Sequence, residues 1–546
     1  MDRRSLLQLL GHASAAILLM RGAQANNLPP VQAQPMEPVP PPAAPPAIET
    51  VTAPQTMAAS AAGERFSVVW LHETARQLAR MPHQEPSVAL PRELADLTYD
   101  TYRMIAFRRD KSVWNGENLP FILQMFSAGY IYKLPVQINI VENGVVTPYR
   151  YSPDLFVYDP RITPPPPEST GGFSGFRIHT TLNSLAKLEE FVVFQGASYF
   201  RSFAQGQEYG LSARGLAINT AQMPGEEFPR FSDFWVEKPG PLSDHITVHA
   251  LLDSPSMTGA YTFRIANRGD TVMDVTCKLF PRREIKYVGI APLTSMFRSG
   301  PTDLTNYSDY RPRVYDSEGL EIWNGNGEQI WRPLINPERL QYSVFVDENP
   351  KGFGLSIRNR DFRQYQDVYV RYDLRPGLWV EPIGDWGPGS VDLIELPSPT
   401  EYNDNIVAFW RPREPMQANT EHAFSYRLHW NWTPPLRRNY AYVTQTMVAA
   451  ALKPGWHSFH LDFANTDGIV LCAEGDYICS DKRANVRLSA SASEFGDMYF
   501  QPNKVLGGHR LSFDFRTKGV DQADIRCMLV SGGKRVSEIW TYRWTA

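Results

Sequence analysis

The sequence predicts an all-β protein, with a large N-terminal antiparallel β-sandwich followed by a smaller C-terminal sandwich of immunoglobulin-like scale. Three observations carry this. Period-two alternation of apolar and polar residues recurs along most of the chain, as in Val136 to Val141, Tyr261 to Ile265 and Val275 to Leu279. No long amphipathic helix alternates with these runs, which argues against a parallel α/β sheet. From His422 onward, seven short strand-like runs follow one another over a length suited to one immunoglobulin-like unit.

Taken in order, the chain starts Met-Asp-Arg3-Arg4, continues with an apolar stretch from Leu6 to Met20, and reaches the small-x-small triplet Ala23-Gln24-Ala25. This reads as a twin-arginine export signal over residues 1–25, cleaved after Ala25, and the apolar run is too short to span a bilayer. Residues 26–63 are rich in proline and alanine and read as an extended tether. Helical spacing of Phe66, Val69, Trp70, Ala75 and Leu78 predicts a helix from Ser67 to Met81. Strands are predicted next, including Ser343 to Val346 and Asp367 to Tyr372. Asn143-Gly144 and Asn349-Pro350-Lys351-Gly352 punctuate them as turns. Arg411 to Glu414 marks a boundary, giving a large unit over 64–411 and a second over 412–546. The second unit holds Phe424–Trp430, 441–447, 457–463, 486–490, 509–515, 525–530 and 536–544 as strands.

Composition narrows the function. A formal net charge of -4 over 546 residues gives no basis for nucleic-acid binding. Aromatics reach 12 %, with 13 Trp and 25 Tyr. Such side chains stack on sugar rings, and they also fill large β-sandwich cores. None of the four cysteines (Cys277, Cys472, Cys479, Cys527) forms a CxxC pair, which disfavours zinc. Cys472 and Cys479 flank a short segment that a disulfide would close in an oxidising compartment; four free thiols is the equal alternative. No metal or organic cofactor is indicated.

GxSxG, HExxH, P-loop and EF-hand patterns are absent, and the histidines are scattered. Carboxylates in aromatic surroundings remain. Glycosidic hydrolysis needs a protonated carboxylic acid beside the leaving oxygen and usually a second carboxylate to activate water. Three segments qualify: Tyr315-Asp316-Ser317-Glu318, Trp379-Val380-Glu381 with Gly384-Asp385-Trp386-Gly387, and Glu401-Tyr402-Asn403-Asp404. Each has a plain alternative: Asp316 as the start of a turn, Asp385 within a hairpin, Asp404 as a polar cap before a strand.

Ten ordered segments, among them FQGASYFR (194–201), YDSEGLEIWNGNGE (315–328), RYDLRPGLWVEP (371–382) and NDNIVAFW (403–410), resemble the periplasmic glucan biosynthesis proteins of the OpgG/OpgD (MdoG/MdoD) family. The resemblance runs from about Phe66 to Trp544. It implies a galactose-mutarotase-like N-terminal sandwich, an immunoglobulin-like C-terminal one, and work on osmoregulated glucans with a β-1,2-linked glucose backbone. By the same resemblance Asp404 is the general acid and Asp316 the general base of an inverting endo-β-1,2-glucanase. Tyr315 and Glu318 stand where the family has His and Asp. Glu401 matches a family glutamate and is read as a supporting carboxylate that raises the acid's pKa. Segments typical of both branches occur, so the branch stays open.

For the enzyme, Trp331, Trp379 and Trp386 are the candidate stacking residues. Arg375 and Glu381 are candidates for bonding sugar hydroxyls, or else form a structural ion pair. The alternative is a non-catalytic protein that holds the glucan as the inner-membrane synthase delivers it. The resemblance implies a homodimer, and the sequence itself leaves a monomer open.

Overall fold

The computed structural model describes residues 63–86, 90–158, 171–184, 186–303, 309–436, 439–466 and 484–546. The export signal, nearly all of the tether, and Cys472 and Cys479 lie outside the described residues. Among those described, no helix is long and apolar enough to cross a membrane.

The predicted first helix forms at Val68–Ala79. The Ser67 hydroxyl caps it by accepting the Trp70 N–H at 3.1 Å. Leu71, Ala75 and Ala79, spaced four apart, make its buried face, which packs with Trp235 and Phe280 on the outside of a sheet.

Two large sheets build the first unit. One has ten strands; the other has fifteen, of which the last four in the chain belong to the second sandwich. Alternation sets the inner faces. In Met257–Arg268, for instance, Tyr261, Phe263 and Ile265 are buried while Thr262 and Arg264 are partly exposed. Phe176, Phe194, Phe200, Phe263 and Trp430 interlock edge-to-face or stacked between the sheets. The Asn143-Gly144 turn joins Gln137–Glu142 to Val145–Pro148. Both turn residues have positive φ (53° and 79°), the pairing that a tight two-residue hairpin needs.

Two sequence expectations change. His422–Asn431, assigned to the second unit, pairs with Asp270–Pro281 on one side and Gly377–Ile383 on the other, deep inside the fifteen-stranded sheet. The large sandwich therefore runs to Asn431. The turn-rich segment after 411 is only the crossing from Ile406–Pro412, in the ten-stranded sheet, to its neighbour sheet. Asp367–Tyr372, predicted as a strand, is irregular. The Asp367 carboxylate accepts the N–H groups of Tyr369 and Val370 (both 2.9 Å), and Arg371 takes a left-handed conformation (φ 50°). A side chain that satisfies the local backbone competes directly with a strand ladder.

The second sandwich sets a four-stranded sheet (Tyr442–Ala450, Trp456–Ala464, Gly508–Arg516, Phe495–Asn503) against Ala484–Ala490, Gln522–Ser531 and Ile539–Thr545. Phe495–Asn503 was not anticipated, because only Phe495, Met498 and Phe500 of it touch the core. The two units share backbone hydrogen bonding. Ile539–Thr545 runs parallel to Gln329–Pro333, with Ile330 opposite Ile539 and Trp331 opposite Trp540.

Candidate active site

Asp316 and Asp404 come from segments 88 residues apart, and one short stretch, Ser295 to Phe297, positions both. Asp316 follows the strand Val314–Tyr315, which pairs with Phe297–Ser299; its own N–H donates to the Met296 carbonyl at 2.8 Å. The next residue, Ser317, shares a buried hydroxyl contact with Ser295 at 2.8 Å. Asp404 precedes the strand Ile406–Pro412, where Ile406 lies opposite Ser295. Asn405 then locks the junction. Its Oδ1 accepts the Phe297 N–H at 2.8 Å, and its Nδ2 donates to the Phe297 and Leu396 carbonyls, both at 2.9 Å.

Burial pushes both carboxyls above the usual carboxylate range. For Asp404, the Asp316 charge pushes the same way, and Arg201 and Arg214 oppose it. For Asp316, Arg375 and Arg201 oppose the rise and Glu401 adds to it. The charge on Asp316 is thus one of the influences that favour a protonated Asp404. Arg375 Nε lies 3.3 Å from Asp316 Oδ1, whereas the cation nearest Asp404, Arg201 Nη2, lies 4.0 Å from Oδ2. The closer cation favours a charged Asp316, and burial favours a protonated Asp404. The Arg375–Asp316 contact is not aligned as a hydrogen bond, so Asp316 Oδ1 is a buried acceptor with no hydrogen-bond partner among the described residues.

Sequence reasoning missed the arginine frame. Arg201 in Tyr199–Ser202 and Arg214 in Ser212–Arg214 sit on adjacent strands, next to Val288–Ser295. Arg214 lies 4.7 Å above the Tyr199 ring, donates to Thr294 Oγ1 and pairs with Glu226, both at 2.7 Å. Arg201 follows the core residue Phe200, so its side chain leaves the opposite face of the strand. Arg311 is a second hub, with Asp309, Asp367 and Glu401 paired at 2.8, 2.9 and 2.5 Å. Glu401 is therefore held by Arg311, and its charge bears on Asp316, not on Asp404 as expected.

The chain matches the family described as "Periplasmic glucan biosynthesis protein, MdoG" over residues 66–544. It belongs to that family. A "Glucans biosynthesis protein G" of Rhodopseudomonas palustris (strain BisA53) is 47 % identical over 87 % of this chain and 92 % of that protein. Proteins of the same name from Bradyrhizobium diazoefficiens and Vibrio cholerae are 44 % and 43 % identical, over 88 % and 86 % of this chain and 93 % and 85 % of their own lengths. Membership implies a periplasmic location and a part in periplasmic glucan biosynthesis.

The family's substituted positions are structural in this chain. Tyr315 is fully buried and accepts from Arg313 at 2.7 Å. Glu318 pairs with Arg313 at 3.1 Å and accepts the N–H groups of Arg358 and Asn359 at 2.8 and 3.0 Å. It fastens the chain beyond the site and leaves Asp316 as the carboxylate facing Arg375.

The proposed stacking residues are corrected. Trp331, Trp379 and Trp386 are 2 %, 3 % and 6 % exposed, so none offers a face to a sugar. Trp331 lies beneath the Arg358 guanidinium at 3.7 Å, in the core of the second sandwich. Trp379 crosses the Gly352 backbone, where a Cβ would meet the ring at 2.2 Å. Trp386 packs against Trp410, Phe424 and Tyr426, and its indole N–H donates to the Ser425 carbonyl. Glu381 pairs with His429 at 3.0 Å on the adjacent strand and does not reach the aspartates. Arg375 alone of the five binding candidates is at the site. Trp386→Ala is accordingly expected to cost about 3–5 kcal/mol of stability with little change in KM. Denaturant unfolding alongside glucan kinetics checks it, and a raised KM at unchanged stability would restore the stacking role.

Proposed function

We propose that this chain is an inverting endo-β-1,2-glucanase acting on the backbone of a periplasmic glucan. The observation that carries the reading is the two buried aspartates, Asp316 and Asp404, with their unequal arginine contacts. Asp404 holds the proton and delivers it to the leaving glycosidic oxygen. Asp316, kept charged by Arg375, draws a proton from the attacking water directly or through a relay, and water attacks the opposite face of the sugar. Arg201 damps the mutual repulsion when both carboxyls ionise. The Arg3-Arg4 start supports export by the twin-arginine route with cleavage after Ala25.

A second reading is a glucan-holding factor for the inner-membrane synthase, as a monomer or homodimer. One observation favours it: Arg375 already stands against the oxygen that the base would use. The test is proton NMR of the mature protein acting on linear β-1,2-glucan. New α-anomeric reducing ends, with internal cutting, are expected before mutarotation. β-Anomers refute inversion, and binding without new reducing ends makes the holding factor the better account.

A further inference from the structure

Away from the aspartates, a cleft of about 350 Å³ lies on the seam between the two sandwiches. One wall is Thr302–Asp303 and Ile335–Glu338 of the large sandwich; the other is Val448–Ala450 and His457 of the four-stranded sheet, closed by Tyr542 and Trp544. The backbone fixes these walls to each other. The Val448 N–H donates to the Pro301 carbonyl at 2.8 Å, and the Tyr542 hydroxyl donates to the Thr302 carbonyl at 2.9 Å. The volume is at the small end of ligand pockets, enough for a sugar unit or two and too small for a protein segment.

The lining selects the ligand. Trp544 and His457 form an aromatic wall with ring centroids 4.3 Å apart. The Trp544 indole N–H is a buried donor with no hydrogen-bond partner among the described residues. Burial lowers the His457 pKa, which favours the neutral ring, and its Nδ1 meets the Thr517 hydroxyl at 2.9 Å. Two carboxylate side chains also line the cleft: Asp303, fixed by the Asn336 N–H at 2.8 Å, and Glu338, which is exposed. No lysine or arginine lines the cleft, which disfavours an anion. Among the described residues no group of three or more His, Cys, Asp or Glu side chains is arranged to hold a metal ion. A cleft that combines an aromatic pair, carboxylate acceptors and an unpartnered indole N–H suits a neutral polyol ring.

We infer that this seam is a second glucan-binding site, taking one or two glucose units of a β-linked chain whose other part engages the aspartate site. The inference rests on the proposed glucan reading. A chain held at two points would be retained between cuts or during delivery, since the second contact is intramolecular.

The test is calorimetric titration of a β-1,2-linked glucotetraose into the mature Asp404→Asn protein, alone and with Glu338→Ala or Trp544→Ala added. Two classes of site are expected. Each added substitution weakens one class at least about tenfold, the scale of one lost hydrogen bond to a charged group, and leaves the other unchanged. Glu338 is exposed, so its variant keeps the test valid if Trp544→Ala folds poorly. Cutting of the tetraose by the protein with Asp404 and the seam both intact is followed alongside. One class insensitive to both substitutions, with cutting retained, overturns the seam site alone. No binding and no cutting overturns the glucan reading together with it.

Discussion

Asp404→Asn is expected to lower hydrolysis of β-1,2-glucan by about 10²–10⁴-fold, the range for losing a general acid, while making the protein more stable at neutral pH. Both halves have one cause. Desolvation is the largest influence on the Asp404 carboxyl, ahead of the opposing arginines, so the native state prefers it protonated. A carboxyl whose folded pKa lies above its unfolded value stabilises the fold most at low pH, below about 4. That contribution is lost as pH rises through the folded value. Asparagine keeps the shape and has no proton to lose. The melting temperatures of variant and wild type should therefore be close in acid, and the variant should pull ahead toward neutrality. Thermal melts across that pH range decide it. A wild type more stable than the variant at neutral pH would mean that Arg201 and Arg214 overcompensate burial, and the proton would have to be placed elsewhere. A stable variant that also loses activity separates a catalytic role from a structural one, which a loss of activity alone does not.

Much of this site could be read from sequence in one sense only. Asp316 and Asp404 stood out through segments that resemble a family. What was legible by physics was alternation, which gave Tyr261 to Ile265 and the Asn143-Gly144 hairpin, because side-chain period and turn φ are local properties. The boundary failed for a non-local reason. His422–Asn431 reads the same whether it begins a second sandwich or enters the middle of the first. The tryptophans failed because an amphipathic ring beside Gly or Pro looks alike in a groove and under a strand. Only the close approach of Gly319 to Trp331 and of Gly352 to Trp379 tells the two apart. Arg201 and Arg311 were invisible as partners of Asp404 and Glu401 because those carboxylates lie far off in sequence. Charge pairing across strands depends on register, which single-sequence alternation does not supply.

Arg358→Met is expected to destabilise the protein by about 3–5 kcal/mol and to uncouple the two sandwiches. Arg358 belongs to the large unit, and its buried guanidinium reaches across the seam. Its Nε pairs with Glu321 at 3.1 Å, and its two terminal nitrogens with Glu538 at 2.6 and 2.9 Å. It also donates to the Val443 carbonyl and covers Trp331. Methionine fills much of the same volume, so the loss is mainly electrostatic: Glu321 and Glu538, both nearly inaccessible, are left charged without their cation. The Val443 N–H still donates to Glu538, which is too little for a buried carboxylate. Because Ile330–Ile539 and Trp331–Trp540 pair across the same seam, the intact protein should melt in one calorimetric transition. The variant should show two, with the second sandwich unfolding first, since its core is the smaller. Adding Glu321→Gln and Glu538→Gln should recover part of the lost stability by removing the stranded charges, whereas it should not if the guanidinium mattered chiefly for packing on Trp331. One transition at an unchanged midpoint for Arg358→Met would mean that shared strands alone couple the units.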